Sequence, residues 1–194
     1  MKHLLILVSV LLSSCASKSS KEVLVRNYGY TQGTTYHISY MSSNARTYQS
    51  DIDSVLHAVD RSMSTYIDSS MISKINRNES YEVDTLFIRV FETAQMIAKK
   101  TQGAFDPTIA PMVNYWGFGF DELTKKNKEG FTNLKNSVGY QKISIEKGKV
   151  KKLDLNTQLD FNAIAQGFTV DLVAEHLEKV GIANYMVEIG GEVK

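Results

Sequence analysis

One cysteine stands in 194 residues, Cys15, and it lies directly behind an apolar run. Lys2 and His3 make a short polar start, Leu4 to Leu12 is the run, and Leu12-Ser13-Ser14-Cys15 closes it. A run this short does not span a bilayer as a stable helix. A polar start, a short apolar stretch and small residues before a processing point read as a secretory leader. The only thiol therefore sits at the edge of the folded part. Beyond it, no disulfide, thiolate metal site or cysteine nucleophile is available, even in an oxidising compartment. The fold must rest on a hydrophobic core alone.

Leu, two small residues and Cys also resemble the bacterial lipobox, in which the thiol takes a diacylglycerol and the preceding peptide is removed. Residues 1–14 are then a lipoprotein signal peptide, and residues 15–22 a lipidated Cys15 with a polar tether. Residues 23–194 form the domain. The expected location is the bacterial cell envelope, anchored by lipid to the inner or outer membrane, with the domain outside the cytoplasm. Loss of Lys2 leaves 21 basic and 21 acidic side chains, net zero. No global electrostatic case exists for a nucleic-acid partner. With 43% hydrophobic residues the chain is ordinary for a globular protein, and at this length folding buries roughly 70% of the unfolded surface.

The periodicities predict an α+β fold. Val23 and Val25 alternate with polar neighbours, Tyr28-Gly29-Tyr30 reads as a turn, and Thr35 to Met41 is β-branched and aromatic, which predicts a hairpin. Ile52, Val55, Leu56, Val59 and Met63 follow helical spacing. Asp68 or Ser69 is placed to cap a short helix through Ile75. Asp84 caps a clear third helix with the stripe Leu86, Val90, Ala94, Ile97 and Ala98, stopped at Gly103. Asp121 to Gly130 reads as a charged, exposed loop. Ile143, Ile145, Lys147-Gly148, Val150 and Leu153 predict a second hairpin. Leu155, Leu159 and Phe161 suggest a further strand. A helix is expected from about Ala163 to Val180, then a strand Tyr185 to Ile189 ending in Gly190-Gly191. Irregular interleaving with two hairpins favours a mixed, largely antiparallel sheet over a doubly wound parallel one.

Unusual residues gather in two places. The only prolines, Pro107 and Pro111, and the only tryptophan, Trp116, lie within Gly103 to Gly119. Two prolines four apart stiffen a loop. The rings of Phe105, Tyr115, Trp116 and Phe118 offer flat apolar surface for a planar ligand or for the core. The second cluster, Leu159 to Phe168, reads as a strand-to-helix junction, where free backbone N–H groups and the helix dipole favour anions; Asp160 is a candidate cap. No phosphate loop with Lys-Ser/Thr, no HExxH and no GxSxG elbow is present. His37, His57 and His176 lie far apart in sequence and read as surface or structural residues. Asp106, Asp160, Glu188 and Glu192 remain as carboxylates for metal or acid–base work.

Taken together, four blocks resemble the ApbE family of FAD:protein FMN transferases. They are Gln32-Gly33-Thr34-Thr35-Tyr36; Met63-Ser64-Thr65-Tyr66 through Ser70, Ile72, Ile75 and Asn76; Gly103 to Gly119; and Asp160 to Gly167 with Asp171 and Gly190-Gly191-Glu192. The resemblance runs from about Tyr30 to the last residue. It implies a T-fold-like flavin transferase domain, represented here by its N-terminal portion and so incomplete at the C-terminus. It implies FAD as substrate, held through Gln32, Tyr66, Ala104, Phe105, Asp106, Asp160 and Gln166. Mg2+ is implied too, with the backbone carbonyl of Ala163 as one ligand, and the family's remaining magnesium ligands lie beyond the Gly-Gly-Glu block. Gln32 replaces the family's usual Met, and Gln166 its common Lys. In the implied reaction, a Thr or Ser hydroxyl of an acceptor flavoprotein, a subunit of a membrane redox complex, attacks the FMN-side phosphorus of FAD and AMP leaves. Three other functions compete with it. These are a flavin-binding lipoprotein without transferase activity, a metal-dependent FAD pyrophosphatase, and a surface interaction lipoprotein that binds no nucleotide.

Overall fold

The computed structural model describes residues 22–118 and 128–194. The expected leader, Cys15 and nearly all of the tether lie outside the described residues, as do Gly119 and residues 121–127 of the expected charged loop. Among the described residues no helix is long and apolar enough to cross a membrane.

The chain opens with strands β1 (Val23–Thr31) and β2 (Thr34–Ser42), an antiparallel hairpin. Its turn is Gln32-Gly33, both at positive φ, not the expected Tyr28-Gly29-Tyr30. Two residues at positive φ match the twist of the flanking strands. Gly29 has a different use, because it pairs with Tyr36 across the hairpin. A Cβ there would come within 2.8 Å of the Tyr36 ring. The tyrosine lies over bare backbone, and its hydroxyl donates to Asp53 at 3.0 Å while accepting from Gln49 Nε2 at 2.6 Å. Burial, with Asp53 alongside, raises the Tyr36 phenol above its ordinary value.

Helices α1 (Gln49–Met63), α2 (Met71–Asn76) and α3 (Thr85–Lys100) follow. Ser70, not Asp68 or Ser69, caps α2, accepting from Ser73 N and donating to Ser64 O at 2.7 Å. Asp84 caps α3 as expected, accepting from Phe87 N at 2.7 Å. The buried stripe of α3 is Phe87, Val90, Phe91, Ala94 and Ala98. It is rotated from the expected one because two phenylalanine rings bury more area than Leu86 and Ile97.

The Pro107 to Gly117 stretch is not all loop: α4 (Ala110–Trp116) starts with Pro111 in its first turn and ends at Gly117. A proline in the first turn lacks only an N–H that the helix would not have used. Helix α5 (Lys128–Ser137) was not foreseen. The second hairpin is β3 (Ile143–Glu146) with β4 (Lys149–Lys152).

No strand forms over Leu155 to Phe161. Thr157, Leu159 and Phe161 are buried and alternate with half-buried Gln158 and Asp160, but among the described residues the segment makes a single isolated bridge, Gln158 to Ile109, and no ladder. The Asn76 side chain brackets Leu159, donating to its carbonyl at 2.8 Å and accepting from its N–H at 2.7 Å. Asp160 N donates to Pro107 O at 2.8 Å. Side chains and a loop thus satisfy this backbone, as a sheet would otherwise do.

Helix α6 (Asn162–Lys179) leads to β5 (Tyr185–Ile189) and the short β6 (Glu192–Val193). The main sheet runs β1-β2-β5-β6, antiparallel throughout. It is open rather than closed, and the fold is α+β as expected.

Two core clusters result. One joins the sheet to Ile52 and Leu56 of α1 and to Val170, Val173 and Leu177 of α6. The other gathers Val59 and Met63 of α1 with α2, α3, the second hairpin, Leu159 and Phe161. The C-terminal end of α1 and the N-terminal end of α6 meet on the seam.

Candidate functional site

Two clefts open on that seam. The smaller, about 140 Å³, is lined by Gln32, Asp60, Tyr66, Asn162 and Gln166 over apolar walls that include Met63. The wider, about 320 Å³, includes Thr65, Tyr66, Asn114, Phe118, Asp160 and Asn162. Tyr66 and Asn162 belong to both, so the two spaces adjoin.

Each wall is positioned by local structure. Gln32 occupies the hairpin turn at φ +50° and donates from Nε2 to Thr169 Oγ1 at 2.7 Å. Thr169 in turn donates to Ala165 O at 2.7 Å. That hydroxyl has a single proton. Having given it to Ala165, it can only accept from Gln32, which fixes the amide with Oε1 turned away from Thr169. Gln32 Oε1 is buried without a partner, and so is Thr65 Oγ1 on the wall of the wider cleft. Gln166 lies on the backbone of Gly190, where a Cβ would come within 2.9 Å of its Nε2.

Asp160 precedes α6 by two residues. Its Oδ1 accepts from Asn162 N at 2.7 Å and its Oδ2 from the Asn162 amide at 3.3 Å. The helix cap position is Phe161, so Asp160 closes a turn ahead of the helix and is not its cap. Burial raises its carboxyl above the ordinary value, and the two Asn162 hydrogen bonds pull it back.

Of the residues implied by the family resemblance, Gln32, Tyr66, Asp160 and Gln166 line these clefts, whereas Ala104, Phe105 and Asp106 do not. Ala104 is exposed. Phe105 packs with Ile164, Ala165 and Phe168 against the second core cluster. Asp106 has both oxygens engaged within its own neighbourhood. Oδ1 accepts from Thr108 N and Thr108 Oγ1, and Oδ2 from Tyr140 N at 2.8 Å. This loop reaches the site through Pro107, whose carbonyl holds Asp160 N. Tyr115 and Trp116 meet each other and Phe131 edge-on at 5.5, 5.8 and 6.3 Å. They line neither cleft, and only Phe118 of the expected aromatic surface does, 85% exposed.

Asn162 and Asp60 were missed by the sequence reading. Asn162 stands directly after Asp160 and Phe161 in the second cluster, so its place was within reach. Asp60 sits on a polar position of an amphipathic helix and carries no distinguishing signal.

Ala163, in the first turn of α6, is exposed. Among the described residues, no group of three or more His, Cys, Asp or Glu side chains is arranged to hold a metal ion. One carbonyl does not fit an ion that takes six oxygens, so the described residues do not by themselves make a magnesium site. His37 pairs with Glu188 at 2.8 Å across β2 and β5, His57 is exposed, and His176 stands 4.0 Å from Asp51.

Known proteins bear on this geometry. A FAD:protein FMN transferase of Haemophilus influenzae is 36% identical over 205 residues, covering 98% of this chain and 59% of its own length. One of Vibrio cholerae matches at 36% with the same two coverages. The chain therefore spans about three fifths of the curated relatives it matches. Among solved structures, the flavin transferase ApbE from Vibrio cholerae superposes with a TM-score of 0.82 at 35% identity, over 89% of this chain and 59% of that one. The Pseudomonas stutzeri flavinyl transferase ApbE, apo form, gives 0.82 at 29%, over 89% and 58%. The ApbE family model matches residues 32–194, a span that takes in the hairpin turn, both clefts and the last strand: the chain belongs to the ApbE family.

Proposed function

We propose that this chain serves a FAD:protein FMN transferase. FAD lies in the adjoining clefts, its FMN portion passes to a Thr or Ser hydroxyl of an acceptor flavoprotein, and AMP leaves. One observation carries the reading. Gln32, Tyr66 and the pair Asp160 and Gln166 come from three separate stretches of sequence and line one continuous pair of clefts, with one buried, unpartnered polar atom in each cleft.

In the reaction the acceptor hydroxyl forms a bond to the FMN-side phosphorus, the bond to the AMP oxygen breaks, and the hydroxyl proton is released. Such transfers depend mainly on positioning and on neutralising charge. This chain's residues contribute positioning: Tyr66 offers an exposed ring for stacking, and Asn162 and Gln166 offer amide donors. The nucleophile belongs to the acceptor. Magnesium dependence belongs to the same reading and is carried by the family, not by the donors described above. The proposed setting is the bacterial cell envelope, with a lipid on Cys15 and a subunit of a membrane redox complex as acceptor.

The test is the intact mass of an acceptor protein incubated with FAD, magnesium and this chain, with a full-length relative as control. A gain of one FMN is expected. No gain while the control works would reject transferase activity for this chain, and free FMN with AMP and no acceptor adduct would assign it as a pyrophosphatase instead.

A further inference from the structure

Asp60, in the last turn of α1, lines the smaller cleft beside Gln32, Tyr66 and Gln166. It is half-buried, and among the described residues its carboxylate makes no hydrogen bond and no ion pair. A carboxylate drawn partly from water without a partner is unfavourable, and burial accordingly raises its carboxyl, with His57 one turn earlier pulling it slightly back.

The rest of the cleft sharpens this. The lock on Gln32 leaves Oε1, an acceptor, without a donor. No lysine or arginine lines the cleft. Unpaired acceptors thus stand here with no cation. A phosphate is an anion with acceptors only, and against Asp60 it would meet like charge at close range in a partly desolvated space. A ring N–H, an amino group or a hydroxyl would instead supply the missing donor. FAD carries both kinds of group.

We propose that Asp60 is a specificity-determining residue whose carboxylate accepts a hydrogen bond from an N–H or O–H group of FAD, so that this end of the cleft takes a ring edge or hydroxyl chain and the diphosphate lies away from it. This rests on the reading of the clefts as the FAD site.

The two placements give opposite signs for one isosteric change. FAD fluorescence quenching is titrated with the full 194-residue chain and with Asp60→Asn. Losing a hydrogen bond to a charged acceptor should weaken FAD binding by about tenfold or more, and Asp60→Ser should weaken it at least as much. Asp60→Ser also serves if Asp60→Asn does not keep the wild-type far-UV circular dichroism. Tighter binding by Asp60→Asn would place the diphosphate against residue 60 and overturn the inference; unchanged affinity would overturn it as well. If the wild-type chain does not quench FAD at all, the FAD-site reading falls first and this inference with it.

Discussion

Lys152 shows how much a single side chain can be asked to hold. Its ammonium donates to Ile75 O at 2.7 Å and to Asn78 Oδ1 at 2.9 Å, tying β4 to the end of α2. Burial outweighs the pull of Asp154 and lowers its pKa to about 8. Between that value and the ordinary 10.5 the unfolded chain binds the proton and the folded chain does not, so stability should rise with pH across this window. Urea midpoints measured at pH 7.5, 9 and 10.5 should increase for the wild type. Lys152→Met should flatten that increase, and an equal rise in the variant would show that another group titrates. Residue-scale function was only partly legible. Gln32, Tyr66, Asp160 and Gln166 stand in motif blocks and reach the clefts. Asp106 also stands in a motif block but lines neither cleft; it accepts from Thr108 and from Tyr140, and a hydrogen-bond partner 34 residues away leaves no trace in spacing.

At the scale of elements, helix ends carry more specification than helix faces. Asp84 both caps α3 through Phe87 N and accepts from Ser62 Oγ of α1 at 3.0 Å, so one carboxylate fixes where a helix begins and how it meets its neighbour. Asp84→Ala should cost about 1–2 kcal/mol, read as a lowered midpoint in chemical unfolding with unchanged m-value. A loss below the error of the fit would mean solvent replaces both bonds. This cap was legible, as were the three long helices α1, α3 and α6, since capping and periodicity are local. Failures came where distant partners decide. Leu155 to Phe161 is held by Asn76 and Pro107 instead of by a strand, and α4 uses a proline that reads equally as a loop stiffener. The turn moved from Gly29 to Gln32-Gly33 because Gly29 is needed flat under Tyr36.

For the whole molecule, the decisive arrangement is the sharing of α1 and α6 between the two core clusters. The clusters use different residues of these helices, so neither can be dismantled without unravelling a helix whose other end the second cluster packs on. Leu177→Ala in the first and Phe87→Ala in the second, both fully buried, should each cost about 2–5 kcal/mol. Trp116 fluorescence and far-UV circular dichroism should nevertheless report one coincident transition for each variant. Separated transitions would show that the clusters unfold as independent units. Fold class was readable from the interleaving of elements, but this shared spine was not, because an amphipathic stripe shows that a helix is buried and not which two neighbours divide it.

The hairpin turn has one more consequence. Gln32 holds a left-handed backbone conformation at φ +50°, a region where glycine or asparagine sits at ease and a longer side chain does not. Glycine, the residue best suited to the turn, would leave the cleft without an amide, and the longer residue that furnishes the amide there strains the turn. Thermal robustness and ligand recognition therefore compete for one codon, and a library of variants screened for heat resistance alone would be drawn toward a tighter hairpin with a vacant wall.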